Sequence, residues 1–144
     1  MLSYGAYNLY TPALKGIFET RKNPFWTLAL SKPRGIFGNN FNAKENPEMY
    51  KAISPIYNIP NVDERKLPPQ FITSASEDRV TPVHAIEEYV KALKDAGQEV
   101  TYWEYKDQRH AYLDSGKTFL SGNDFKRDAI PALKKIMNFL KPKF

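Results

Sequence analysis

The sequence predicts an α/β fold built on parallel strands, and three consecutive stretches predict it. Leu-Pro-Pro at 67–69 stops whatever precedes it, and residues 70–74 then mix aromatic and β-branched side chains as a short buried strand does. Thr81-Pro82 open an amphipathic run, Thr as the expected N-cap and Pro as the first helical residue. Along it Val83, Ile86, Val90 and Leu93 recur at helical spacing, and Gly97 stands where a left-handed C-terminal cap is expected. Residues 99–105 form a second strand, followed by a polar loop that carries His110. A strand, a helix spanning 83–96 and a strand make a right-handed parallel crossover. The acidic pair Glu77-Asp78 and His110 therefore leave neighbouring strands at their carboxyl ends, the edge where open α/β sheets build their sites. Asp78 and His110 are expected within hydrogen-bonding reach, about 2.6–3.2 Å, although 32 positions separate them.

The remaining elements follow in chain order. Residues 1–7 are apolar, aromatic and β-prone, and read as a strand. Residues 8–46 carry Pro12, Pro24, Pro33 and the aromatics Tyr10, Phe18, Phe25 and Trp26 around a Gly-Asn-rich stretch, so short helices at 12–20 and 24–30 are expected. Residues 47–53 form a short helix that Ser54-Pro55 ends, and 58–69 form a polar connector. After His110 a loop runs through Asp114-Ser115-Gly116, and Asn123 or Asp124 caps a final helix. Ile130, Leu133, Ile136, Met137 and Leu140 are its expected apolar face, and Pro131 is tolerated there if it lies in the first turn.

Composition narrows the functional classes. With 144 residues the chain fits one domain, and 42% hydrophobic with 26% charged residues is ordinary for a globular protein. An aromatic content of 14% is high enough to suggest a substrate cleft or lid besides the core. The absence of cysteine excludes disulfides and thiol catalysis and leaves the cellular compartment open. The net charge of +5 is spread among 16 acids instead of forming a patch, which argues against nucleic-acid binding. No stretch approaches the roughly 18 apolar residues of a membrane span. Two histidines in all make a metal site unexpected, and Gly-Ile-Phe-Gly-Asn-Asn at 35–40 lacks the Lys-Ser/Thr of a phosphate loop, so no cofactor is expected.

Asp78 with Val80 and Pro82, then Ala96-Gly97, then Tyr105, then His110 resembles the C-terminal part of an α/β-hydrolase, in the esterase and prolyl oligopeptidase-type branches. The resemblance covers residues 44–140. It implies that residues 1–144 are a partial α/β-hydrolase domain, with parallel strands and flanking helices. Residues 8–46 would be a lid-like helical insertion, or else a satellite hairpin whose aromatics pack inward. Residues 67–140 would be the unit bearing the acid and the histidine of a Ser-Asp-His triad, and the order acid before histidine fits. Two departures stand out. His110 is followed by Ala111-Tyr112, where the family usually has Gly and an aromatic, and no G-x-S-x-G occurs in the chain. The nucleophile would then lie upstream of Met1, and the chain reads as the back half of a hydrolase, inactive by itself.

Serine-type hydrolysis needs a base beside the hydroxyl and a carboxylate behind the base to hold its tautomer. His110 is the candidate base and Asp78 the candidate acid, with Glu77 as the competitor for that role. Asp107 lies too near His110 on the same loop, and His84 falls on the first turn of the helix after Pro82. Three functional expectations result. One is the C-terminal half of a carboxylic-ester hydrolase, with a small ester as the substrate of the complete enzyme. The second is a prolyl oligopeptidase-like peptidase fragment, and the third a non-catalytic α/β interaction module. In each, an N-terminal half of the same fold or a second copy is the expected partner, because a strand at 1–7 presents an unpaired edge.

Overall fold

Strand β1, Leu2–Ser3, lies beside β2, Gln70–Ala75, and β2 lies beside β3, Val100–Tyr105, in a parallel sheet of order β1-β2-β3. The structure is a computed structural model, which describes residues 2–3, 5–10, 43–79, 81–113 and 124–143. Leu2 and Ser3 pair with Ile72 and Thr73, and β2 pairs with β3 along its full length, from Gln70 opposite Val100 to Ala75 opposite Tyr105. Phe71 through Ala75 are all buried, as a strand covered on both faces requires. The α/β class and the parallel crossover expected from the sequence are therefore present.

The chain divides into two units, Met1–Gly5 with Pro60–Phe144, and Ala6–Ile59. In the second, helix α1 spans Pro47–Ala52 and a 3₁₀ turn spans Pro55–Tyr57. The fully buried Ser54 organises it: its hydroxyl donates to the Tyr50 carbonyl at 2.7 Å and accepts the Leu9 amide at 2.9 Å. The strand expected at 1–7 is shorter in the structure, because the Tyr7 carbonyl accepts the Ile56 amide at 3.0 Å and is committed to this unit. Most of the expected insertion at 8–46 falls on residues 11–42, outside the described residues.

In the larger unit the crossover between β2 and β3 is helix α2, Val83–Asp95, whose Ile86, Tyr89, Val90 and Leu93 are buried. Its end is a Schellman cap: Gly97 has φ +73°, its amide donates to Lys94 O at 2.9 Å, and the Gln98 amide donates to Leu93 O at 2.9 Å. The start departs from expectation. Pro82 occupies the N-cap position and no side chain caps the helix, because Thr81 has a different partner. The connector before β2 is held by the buried Gln98, whose Nε2 donates to Pro60 O and Arg65 O and whose Oε1 accepts the Leu67 amide.

Helix α3, Ile130–Leu140, follows a π turn at Phe125–Ala129. Asp124 caps this segment as expected, its Oδ1 accepting the amides of Lys126 and Arg127. The wider π turn precedes Pro131, which lacks an amide and would crowd the carbonyl four residues back in a regular α-helix. The expected apolar face is realised in part, with Ile136 buried and Ile130 and Leu140 half-buried. Leu133 and Met137 are 38% and 57% exposed, while Ala129, Ala132 and Ile136 are buried and Phe139 meets Phe71 with ring centroids 5.2 Å apart. Ala132 packs in one cluster with Ala75, Tyr105 and Tyr112, its small side chain letting the helix approach Tyr105 closely.

Candidate active site

The loop after β2 and the loop after β3 are stitched to each other. The Ser76 amide continues the ladder by donating to Tyr105 O at 2.9 Å, Glu77 N donates to Gln108 O at 2.8 Å, and Asp107 N donates to Ser76 Oγ at 2.8 Å. Asp107 takes φ +57° where the second loop turns, a conformation that Asp tolerates better than most residues. Adjacent parallel strands thus deliver the acid loop and the histidine loop to one edge with little freedom between them.

At that edge Asp78 and His110 meet. Asp78 Oδ2 lies 2.8 Å from His110 Nδ1, inside the distance expected from the crossover geometry. The Asp78 side chain is 1% exposed and that of His110 is 33% exposed, so the carboxylate is enclosed while the imidazole reaches the surface. Two further donors hold the carboxylate: the Thr81 amide to Oδ1 at 2.8 Å and the Thr81 hydroxyl to Oδ2 at 2.7 Å. The same hydroxyl oxygen is 3.5 Å from His110 Nδ1. An enclosed carboxylate needs such partners, because burying one without them is prohibitive.

The histidine loop is anchored from below. Ala111 has φ +65°, the left-handed region in which glycine is favoured, so the backbone asks for the residue type that this sequence does not supply. Tyr112 next to it is 1% exposed, stacks on Tyr105 with ring centroids 4.9 Å apart, and donates its hydroxyl hydrogen to Thr73 Oγ1 on β2. A second anchor is Asp128, fully buried at the start of the last helical segment. Arg127 Nε and Nη2 each donate to its carboxylate at 2.6 Å, the Asp124 amide adds 2.7 Å, and the Gln108 side chain on the histidine loop bonds it too. The Arg127 hydrogen bonds hold the Asp128 carboxyl below the usual carboxylate range, against the opposing effect of burial.

The other candidates lie elsewhere. Glu77 is exposed and faces Arg109, with its Oε2 3.6 Å from Nε, so of the adjacent acids it is Asp78 that contacts the imidazole. Asp107 is exposed on the turn, and His84 is exposed on the first turn of α2. Among the described residues no group of three or more His, Asp and Glu could hold a metal ion, and no helix is long and apolar enough to cross a membrane. Sequence reasoning missed Thr81, which it read as a helix cap, and the pair Gln108 and Asp128. The aromatic expected two places after the histidine was the signal for Tyr112.

A profile of the prolyl oligopeptidase family matches residues 26–142. The chain belongs to the prolyl oligopeptidase family. Its fold is similar to that of solved structures of a thermophilic esterase, esterase 2 of the planctomycete Thermogutta terrifontis. The propionate-bound form has a TM-score of 0.55 at 17% identity over 96% of this chain and 41% of the esterase. The native form gives 0.55 at 19% over 94% and 40%, and the form phosphoramylated by tabun gives 0.54 at 17% over 96% and 40%. This prolyl oligopeptidase-family chain thus spans about two fifths of the length of those esterase chains and has the C-terminal portion of an α/β-hydrolase fold. No curated protein sequence matches it.

Proposed function

We propose that this chain is the acid- and histidine-bearing half of a serine carboxylic-ester hydrolase, with His110 as general base and Asp78 as the group that orients it. The observation that carries the reading is the 2.8 Å contact between the enclosed Asp78 carboxylate and the part-exposed His110 imidazole. Asp78 accepts from Nδ1–H, which leaves the lone pair on Nε2. That nitrogen takes the proton of a serine hydroxyl as the oxygen attacks the ester carbonyl, and returns it to the departing alkoxide. Asp78 stabilises the imidazolium between these steps. The acyl-enzyme is then hydrolysed by water activated in the same way. The serine and the oxyanion-hole donors come from an N-terminal half, since no G-x-S-x-G lies within these 144 residues. Among the described strands β1 pairs only with β2, so its outer edge is where a strand of that half joins the sheet.

The family match favours a second reading within the same chemistry, a peptidase that cleaves amides in place of esters. One set of assays tests both. The chain alone gives no turnover of p-nitrophenyl acetate. In a protein that joins it to a nucleophile-bearing half, Asp78→Asn lowers kcat by up to about 10⁴-fold, His110→Ala does at least comparable damage, and Glu77→Gln does little. Undiminished activity of Asp78→Asn removes Asp78 from the mechanism. Peptide anilides turned over faster than esters put the protein on the peptidase side, and a completed protein without either activity makes the chain a non-catalytic interaction module.

A further inference from the structure

We propose that Thr81 is a positioning residue that fixes the tautomer of His110 by locking the Asp78 carboxylate from two sides. The inference rests on the reading of Asp78 and His110 as acid and base, and it starts from counting protons. A hydroxyl has one hydrogen to donate and lone pairs to offer. Thr81 Oγ1 is 2.7 Å from Asp78 Oδ2 and 3.5 Å from His110 Nδ1. An ionised carboxylate can only accept, so the hydroxyl hydrogen goes to Asp78 and the hydroxyl oxygen turns lone pairs toward the imidazole. His110 Nδ1 then faces two acceptor oxygens, Asp78 Oδ2 at 2.8 Å and Thr81 Oγ1 at 3.5 Å. Nδ1 must carry the ring proton, and Nε2 keeps the lone pair that a general base needs.

The backbone completes the lock. The Thr81 amide donates to Asp78 Oδ1 at 2.8 Å while its hydroxyl holds Oδ2, so one residue grips both carboxylate oxygens and fixes the rotation of the group. Without the hydroxyl, Oδ2 loses the donor that Thr81 supplies, and the carboxylate is held less firmly against the ring. Thr81 is buried, 6% exposed, so water reaches the vacated position poorly. Pro82 follows Thr81 as the N-cap residue of α2, which forms without a side-chain cap, so the Thr81 hydroxyl serves the acid and not the helix.

The test reads the ring itself in the full chain, without any need for turnover. With ¹⁵N-labelled protein at mildly alkaline pH, ¹⁵N shifts report the tautomer and saturation transfer reports how fast the Nδ1 proton exchanges with water. His84→Gln assigns the signals, since the chain has two histidines. Wild type and Thr81→Ser are expected to hold the Nδ1–H form. Thr81→Val exchanges this proton at least tenfold faster and gains the Nε2–H form. Tenfold equals about 1.4 kcal/mol, the size of one hydrogen bond to a charged acceptor. Asp78→Asn, which exchanges an acceptor-only group for an amide, sets the scale. If Asp78→Asn moves the signals and Thr81→Val does not, the role of Thr81 is overturned while the acid–base pair stands. If Asp78→Asn leaves them unmoved, the pair itself fails. Should Thr81→Val not fold, Thr81→Ser decides: wild-type exchange supports the proposal, and a tenfold faster rate overturns it.

Discussion

The Tyr112 hydroxyl donates to Thr73 Oγ1, which ties the residue two positions past His110 to the middle of the central strand. The histidine loop is therefore held by a buried side chain of its own and by the acid loop beside it. Removing the hydroxyl in Tyr112→Phe is expected to lower stability by about 1 kcal/mol, and removing the ring in Tyr112→Ala by about 3–5 kcal/mol, read from urea unfolding. Equal stability of all three proteins would show that the loop is anchored elsewhere.

Ala111 sits at φ +65°, where a Cβ costs about 1–2 kcal/mol and glycine costs nothing sterically. The lower entropy of unfolded alanine offsets part of this relief. Ala111→Gly is expected to raise stability by up to about 1 kcal/mol, and Ala111→Val, β-branched in the same conformation, to lower it by more than that. Thermal unfolding of the three proteins checks the order Gly, Ala, Val.

Gly97 combines φ +73° with a crowded site, since a Cβ built there would stand 2.6 Å from Val62 Cγ1. Gly97→Ala is expected to destabilise by about 2–3 kcal/mol, the left-handed penalty plus displacement of Val62. The double variant Gly97→Ala with Val62→Ala should recover the steric part and retain the conformational part. A Gly97→Ala protein as stable as wild type would contradict the Schellman geometry.

Asp128 makes the fold sensitive to acid. Its folded carboxyl is held below the usual range, first by the Arg127 hydrogen bonds, so its contribution is fully present above the unfolded carboxylate pKa of about 3.9. That contribution disappears as the pH falls through the lower folded value. Unfolding free energies from pH 7 down to pH 2 should therefore fall less steeply in Asp128→Asn, which at pH 7 is already less stable by about 1–3 kcal/mol. Parallel curves for the two proteins would mean that Asp128 titrates alike folded and unfolded.

The sequence by itself determined the parallel strand–helix–strand unit and the edge on which its chemistry lies. Residues 70–74, 83–96 and 99–105 carry local signals, a period of two or of 3.6 with Pro and Gly at the breaks, and local signals survive without knowledge of neighbours. It also gave Asp78 and His110 as residues that should approach each other, because parallel strands joined by one helix bring their carboxyl ends together. Tertiary structure alone decided the rest. Thr81 has the side chain of a helix cap, and only the placement of an enclosed carboxylate three residues earlier diverts its hydroxyl. The last helix offers several apolar residues at helical spacing, and the packing of Ala132 with Ala75 and Tyr105 decides which of them are covered, leaving Leu133 and Met137 exposed. Gln108 and Asp128 are 20 positions apart and polar, so no periodicity links them; burial of a charge does, because an enclosed carboxylate gathers every donor within reach.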